Sequence, residues 1–161
     1  MADDAAFQSL VGRLDPPMLI VTAAAGGERA GCLVGFATQT SIAPARFLVC
    51  ISDKNRTYRV ARRSEALGVH FVPADRDDLA ELFGGETGDE TSKFEAVGWH
   101  GGPGGVPLID GCPSWFAGRV VERRVLGDHV GHLLEPLAGA DAGDSWLGFQ
   151  RAKRIEPGHE A

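Results

Sequence analysis

Between Gly31 and Tyr58 the chain reads GCLVGFATQTSIAPARFLVCISDKNRTY, and the residues most able to do chemistry at an informative spacing lie there. The run from Gly31 to Ile42 carries small and hydroxyl side chains where a strand buried on both faces carries bulky ones. Phe47 to Ile51 is a short apolar run suited to a buried strand. Ser52-Asp53-Lys54-Asn55-Arg56-Thr57 then brings hydroxyls, an amide and cations to an expected helix start. That combination suits a flat ligand lying against strand backbone, with an anionic tail reaching the loop. A structural reading stands beside it. Small residues in a strand also mark a bulge or close packing, and an Asn-Arg-Thr loop also serves as a helix cap.

A chain of 161 residues predicts a single domain, 1–161, long enough to bury a real core, with that core over about residues 7–136 and a polar tail from about residue 150. Sixteen basic against twenty-two acidic residues give a formal charge of −6, which argues against a broad nucleic-acid-binding face. Arg56, Arg59, Arg62 and Arg63 form a local basic cluster, read either as a solvated helix face or as the rim of a phosphate or dinucleotide site. Cys32, Cys50 and Cys112 are far apart and odd in number, and read as small hydrophobes rather than as a disulfide pair or metal site. With no CxxC or HxxxH spacing, no metal site is expected. The N-terminus lacks a basic start followed by a long apolar run, and no stretch is long enough to span a membrane, so the expected setting is cytoplasmic, without a membrane partner.

These residues need a scaffold of strands. Phe7, Leu10, Val11 and Leu14 fall at helical spacing and Pro16-Pro17 ends that helix. Met18–Ala23 reads as a strand, Ala25–Glu28 as a hairpin turn into the Gly31 strand, and Ala43-Pro44-Ala45 as the reversal into Phe47–Ile51. A short helix over Thr57–Ser64, a strand over Leu67–Val72 and a helix over Asp75–Phe83 ended by Gly84-Gly85 follow. Residues 84–107 are glycine-rich and aperiodic, with a short helix expected at Glu90–Ala96. Trp115–Val125 and His129–Pro136 read as strands joined at Gly127-Asp128, and Asp144–Phe149 as a last strand. Tight turns between neighbouring strands favour an antiparallel barrel over a doubly wound sheet. The absence of a GxGxxG after a strand disfavours a Rossmann dinucleotide site.

The order of these features resembles the flavin reductase-like family. The carrying residues are the helix into Met18–Ala23, Gly31–Ser41 followed by Pro44, Phe47–Ser52, Asn55-Arg56-Thr57, Lys93-Phe94 and Gly127-Asp128-His129. The resemblance runs from about Phe7 to Pro136. It implies a mainly β fold with a few short helices, a split antiparallel β-barrel of FMN-binding type, and usually a homodimer.

Residue by residue, the resemblance implies that Gly35, Phe36 and Ala37 lie against the flavin ring, with Thr38, Gln39 and Ser41 continuing that wall. Cys50, Ile51 and Ser52 would line the other side. Lys54, Asn55, Arg56 and Thr57 would hold the phosphate. Lys93 and Phe94 would close the site, from the same chain or from a partner subunit, and His129 would stand near the nicotinamide or flavin face as the catalytic candidate. Where this chain has Gly35-Phe36, family members often carry Asn-Ser, which here leaves more of the ring's recognition to backbone groups. His70, His100 and His132 receive no role, and Trp99, Trp115 and Trp146 are assigned to core or interface.

The activity so implied is an FMN-dependent oxidoreductase, with FAD as the alternative flavin, taking hydride from NADH or NADPH and passing electrons to an acceptor or a partner monooxygenase. Two other classes stay open: a protein that binds flavin, haem or a deazaflavin without reductase activity, and a dimeric scaffold with a vestigial site.

Overall fold

Pro16 and Pro17 cannot donate backbone hydrogen bonds, and they separate a short helix from the sheet. The computed structural model describes residues 4–85 and 92–154, and in it that helix is α1 (Ala5–Val11). Its expected apolar face is formed but not covered within the chain: Phe7, Leu10 and the following Leu14 are all exposed.

The strands are β1 (Leu19–Ala25), β2 (Glu28–Val34), β3 (Ala37–Ser41), β4 (Arg46–Ser52), β5 (Ala66–Phe71), β6 (Trp99–Gly101), β7 (Pro107–Ile109), β8 (Trp115–Val125) and β9 (His129–Ala140). Seven of them form one antiparallel sheet in the order β2-β1-β5-β8-β9-β4-β3, and β6 and β7 pair separately. The helices α2 (Arg56–Ala61), α3 (Asp77–Gly85) and α4 (Phe149–Ala152), with 3-10 turns at Lys93–Glu95 and Pro103–Gly105, complete the described elements.

The outermost strands of the sheet, β2 and β3, are neighbours in sequence, separated by Gly35 and Phe36 alone. Three trans peptide links reach at most about 11 Å, so the sheet must curl until its two edges meet at that end. No ladder of hydrogen bonds joins β2 to β3, so the curl leaves an open seam rather than a closed barrel.

The interior of the curl is filled by alternate residues of the strands, among them Val21, Cys32, Val49, Ile51, Val69 and Leu134, with Val60 and Ala61 of α2 closing one end. A second cluster, including Ile20, Val72, Leu79, Phe83, Phe94 and Ile109, packs α3 and the chain after residue 92 against the outside of β1 and β2. His70 ties the two regions together. Its Nδ1–H donates to Ile20 O (2.9 Å), and its Nε2 accepts from the Ile109 amide (3.0 Å).

Several expectations change. The single strand expected over Gly31–Ile42 is two strands on opposite sheet edges, because at Phe36 the chain leaves β1 and joins β4, its carbonyl accepting from Cys50 N at 2.9 Å. The strand expected at Asp144–Phe149 is reduced to two isolated bridges, Pro73 with Trp146 and Pro17 with Gly148. Both partners are prolines, which lack the donor a ladder needs. Strand β9 runs past Pro136 to Ala140, accommodated by a register shift at Ala117/Gly118. Helix α3 continues through Gly84 and Gly85. The aperiodic segment contains the β6–β7 hairpin, and the helix expected at Glu90–Ala96 is, over its described part, a 3-10 turn at Lys93–Glu95. Residues 86–91 of that segment, which include the first two of the expected helix, and the tail from residue 155 lie outside the described residues.

Candidate functional site

The seam brings the sequence-predicted residues onto two adjoining surfaces. The first is the outer face of β3, β4 and β9. Ser52 pairs with His129 and Cys50 with Gly131, so on a pleated sheet these four share one face. Thr38 pairs with Leu48 on that same face, while Ala37 pairs with Val49 and turns inward. Phe36 stands over this surface, 62 % exposed, and its ring meets the His129 imidazole with centroids 4.9 Å apart at a 50° tilt. His129 donates from Nδ1 to Asp128 Oδ1 at 2.7 Å, so Nε2 is the ring nitrogen left for a ligand. That hydrogen bond, with the imidazole charge, holds the Asp128 carboxyl below the usual aspartate range.

The second surface is a cleft of about 80 Å³ where β2, the start of α2 and the 3-10 turn converge. Arg29, Gly31, Arg56, Thr57, Lys93 and Phe94 line it, with Ser92 at its edge. Asn55 caps α2, its side-chain oxygen accepting from the Thr57 amide at 2.9 Å. That bond turns Thr57 into the cleft wall, where it is buried. Arg56 is anchored across the β1–β2 hairpin by Arg29 O (3.0 Å) and Glu28 Oε2 (3.4 Å). Arg29 in turn lies over the Trp99 ring, 4.4 Å from its centroid.

Lys93 is buried, its ammonium donating to Phe83 O (3.0 Å) and Gly31 O (3.2 Å). A cation held in a dry wall attracts an anion strongly. Beneath it, burial pushes the Cys32 thiol up in pKa, opposed by the Lys93 charge and a hydrogen bond with Thr57. Burial also raises Cys50, so neither thiol is poised as a nucleophile. All three cysteines are free.

This donor set fits a phosphate ester: hydroxyls from Thr57 and Ser92, and cations from Arg29, Arg56 and Lys93 around a space suited to a small polar group. Helix α2 has six residues, so its dipole is slight and the side chains supply most of the field.

Not every candidate points its side chain at these surfaces. Ile51 is fully buried in the core, so only its backbone can meet a ligand. Gln39 and Ser41 lie further along the edge strand β3, the Gln39 amide donating to Ser41 O. Lys54 is exposed on the Asp128 side of the turn rather than among the cleft-lining residues, its amide donating to Ser52 Oγ at 3.3 Å. Lys93 and Phe94 reach the cleft from the same chain as Thr57. Arg29, Gly31 and Ser92 were not singled out from the sequence. Their place depends on the hairpin register and on the fold of the glycine-rich segment, for which no local pattern exists.

Comparisons with known proteins agree with this geometry. The sequence model described as "Flavin reductase like domain" matches residues 11–152. The chain is 29 % identical over 157 residues to the FMN reductase (NADH) RutF of Methylorubrum extorquens, covering 96 % of this chain and 76 % of that one. It is 23 % identical over 150 residues to the 4-hydroxyphenylacetate 3-monooxygenase reductase component of Pseudomonas aeruginosa, covering 91 % and 88 %. Among solved structures, the NADH:FAD oxidoreductase of Streptomyces globisporus superposes with a TM-score of 0.82 at 20 % identity, covering 92 % of this chain and 91 % of that one. An open seam between β2 and β3, a cationic cleft at the start of α2 and a family match across nearly the whole chain together place the protein in the flavin reductase-like family.

Proposed function

We propose that the protein is an FMN-dependent oxidoreductase that uses NADH or NADPH, with FAD as the alternative flavin. The observation that carries this reading is the convergence of Arg56, Thr57 and Lys93 in one cleft on β2, the strand that leads into the Gly35-Phe36 seam. Bound flavin supplies the hydride chemistry, so the protein needs no nucleophile of its own. Arg56, Thr57 and Lys93, supported by Asn55, hold the phosphate. Backbone groups at Gly35–Ala37 and Cys50–Ser52 meet the polar edge of the ring, with Thr38, Gln39 and Ser41 along the edge strand and Lys54 at the turn. His129, fixed by Asp128 and Phe36, presents Nε2 to orient the nicotinamide.

The working unit is a homodimer. The uncovered apolar face of α1 and the exposed Phe36, Ile42, Val125 and Leu126 offer apolar surface for a second copy. A monooxygenase is the proposed electron-accepting partner, since one relative is named as a monooxygenase reductase component. No described helix is long and apolar enough to cross a membrane. Three unpaired cysteines agree with a reducing cytoplasmic setting.

A second reading has a specific observation in its favour. Gly35-Phe36 offers no polar side chain to the ring, which suits a protein that holds flavin without turning it over. FMN-dependent oxidation of NADH or NADPH by the purified protein tests the proposal. Saturable FMN binding without nucleotide oxidation would support the second reading, and no FMN binding would contradict both.

A further inference from the structure

The end of α2 opposite Thr57 forms a groove that the flavin reading does not use. Arg62, Arg63 and Glu65 line one side, Arg119 and Arg123 of β8 the other, around a volume of about 410 Å³. Four arginines and one glutamate thus line one groove in a chain whose formal charge is −6. Their source is two segments far apart in sequence. Thr57 and Arg62 are separated by roughly 8 Å along the α2 axis, at about 1.5 Å per residue, and the two sites share no lining residue.

The arginines differ in how they are held. Arg123 donates from Nη2 to Ala61 O (2.8 Å) and to Ser64 O, which ends α2 and fixes the guanidinium at the groove wall. Burial lowers its pKa, with the Tyr58 hydroxyl acting in the opposite sense, so its charge is poorly solvated. Arg63 pairs with Glu28 at 2.8 Å, and Arg119 with Glu135 at 3.2 Å. Arg62 makes no ion pair or side-chain hydrogen bond among the described residues. Positive charge therefore remains in surplus at Arg62 and Arg123.

The Ser64 hydroxyl is already committed to Val60 O (2.9 Å) and Ala24 O (3.1 Å), so the groove offers guanidinium forks rather than hydroxyls. Forked cations lining one concave site select a compact, multiply charged anion that accepts bidentate hydrogen bonds. The volume is that of a small-molecule site. An acidic protein segment, which spreads its charge along an extended surface, fits a concave site less well.

We propose that this groove binds the phosphate group of a small ligand, gripped between Arg62 at the C-terminal cap of α2 and Arg119 and Arg123 on β8. The phosphate has two sources, a nucleotide's monoester or the free inorganic ion, and binding experiments separate them. Arginine Nε–H signals followed by NMR during titration with inorganic phosphate and with 2′-AMP, against sodium chloride at matched ionic strength, read the site directly. Saturable shifts at Arg62 and Arg119 are expected with the phosphate probes and not with chloride. Tighter binding of 2′-AMP assigns the nucleotide source, and equal binding assigns the free ion.

Arg62→Glu touches no contact of the fold and is expected to weaken either probe at least about tenfold, the loss of one charge-assisted contact, with FMN affinity unchanged. Arg119→Gln is the second variant, with a smaller effect in the same direction. Shifts no larger than those of the salt control, or an Arg62→Glu protein that binds as tightly as the parent, would overturn the proposal. So would saturable shifts with a hexaglutamate peptide alone, which would make the groove a protein-docking site.

Discussion

The His129 imidazole rests against the Phe36 ring, 4.9 Å between centroids, while its Nδ1 is tied to Asp128 at 2.7 Å. Two contacts from different directions leave the ring little freedom, and they join the β8–β9 turn to the seam where the chain passes from β2 to β3. Phe36 therefore has a structural use: it supplies the wall that orients His129. Gly35 itself is not sterically required, because a Cβ there would meet Met18 at an ordinary 3.5 Å.

Replacing His129 with alanine should slow flavin reduction by the nicotinamide at least about tenfold, less than the roughly hundredfold or more typical of a full general acid or base, because its role is to orient. FMN affinity should stay within about twofold, because His129 is not among the residues lining the cationic cleft. Rapid-mixing reduction kinetics beside an FMN titration check this. An unchanged reduction rate would return His129 to a structural role.

Thr57→Val removes the hydroxyl from the cleft while keeping its volume. FMN should weaken by about tenfold or more and riboflavin by much less, because only FMN carries the phosphate. Equal weakening of the two ligands in parallel fluorescence titrations would show that the cleft is not the phosphate site.

Stability should fall with acid through two buried histidines. Desolvation holds His70 at a pKa of about 4, assisted by the nearby His100 and opposed by the Ile20 carbonyl. Desolvation holds His132 at about 4 as well, assisted by Arg123 and opposed by the Val130 carbonyl. The unfolded chain protonates these groups near their ordinary value of 6.5 while the fold excludes the proton. Their contribution is thus intact above 6.5 and lost as pH falls toward 4, by up to about 3 kcal/mol each. Urea unfolding between about pH 7 and about pH 4.5 should show this slope. A flat profile would contradict it.

Packing at the second layer is tested at Gly68. A Cβ there would lie 2.5 Å from Thr22 Oγ1, which donates to Pro107 O at 2.6 Å and ties the β6–β7 hairpin to the sheet. Gly68→Ala should cost about 1–3 kcal/mol through overpacking. Gly101→Ala, with nothing within 4 Å of its Cβ, should be nearly neutral in the same thermal unfolding experiment.

Local patterns in the sequence located most of these elements. Trp115–Val125 coincides with β8, the Gly26-Gly27 turn takes the positive φ that glycine permits, and Asn55 caps α2 as its residue type suggests. Features set by distant pairing were not legible. Nothing local at Gly35-Phe36 says that the chain crosses there from one sheet edge to the other, since that depends on β4 offering its Cys50 amide. Lys93 was identifiable as a candidate, but its burial against Phe83 O and Gly31 O follows from how the glycine-rich segment folds back on β2. Arg29 and Ser92 enter the cleft for the same reason.

The central claim is that the seam and cleft hold a flavin that pyridine nucleotides reduce. Its most direct test is the visible absorption spectrum of the protein with FMN, recorded anaerobically before and after NADH and then NADPH. A perturbed flavin spectrum that bleaches with at least one nucleotide is the predicted result. A perturbed spectrum that bleaches with neither would contradict the reductase claim, and an unperturbed one would contradict the flavin site itself.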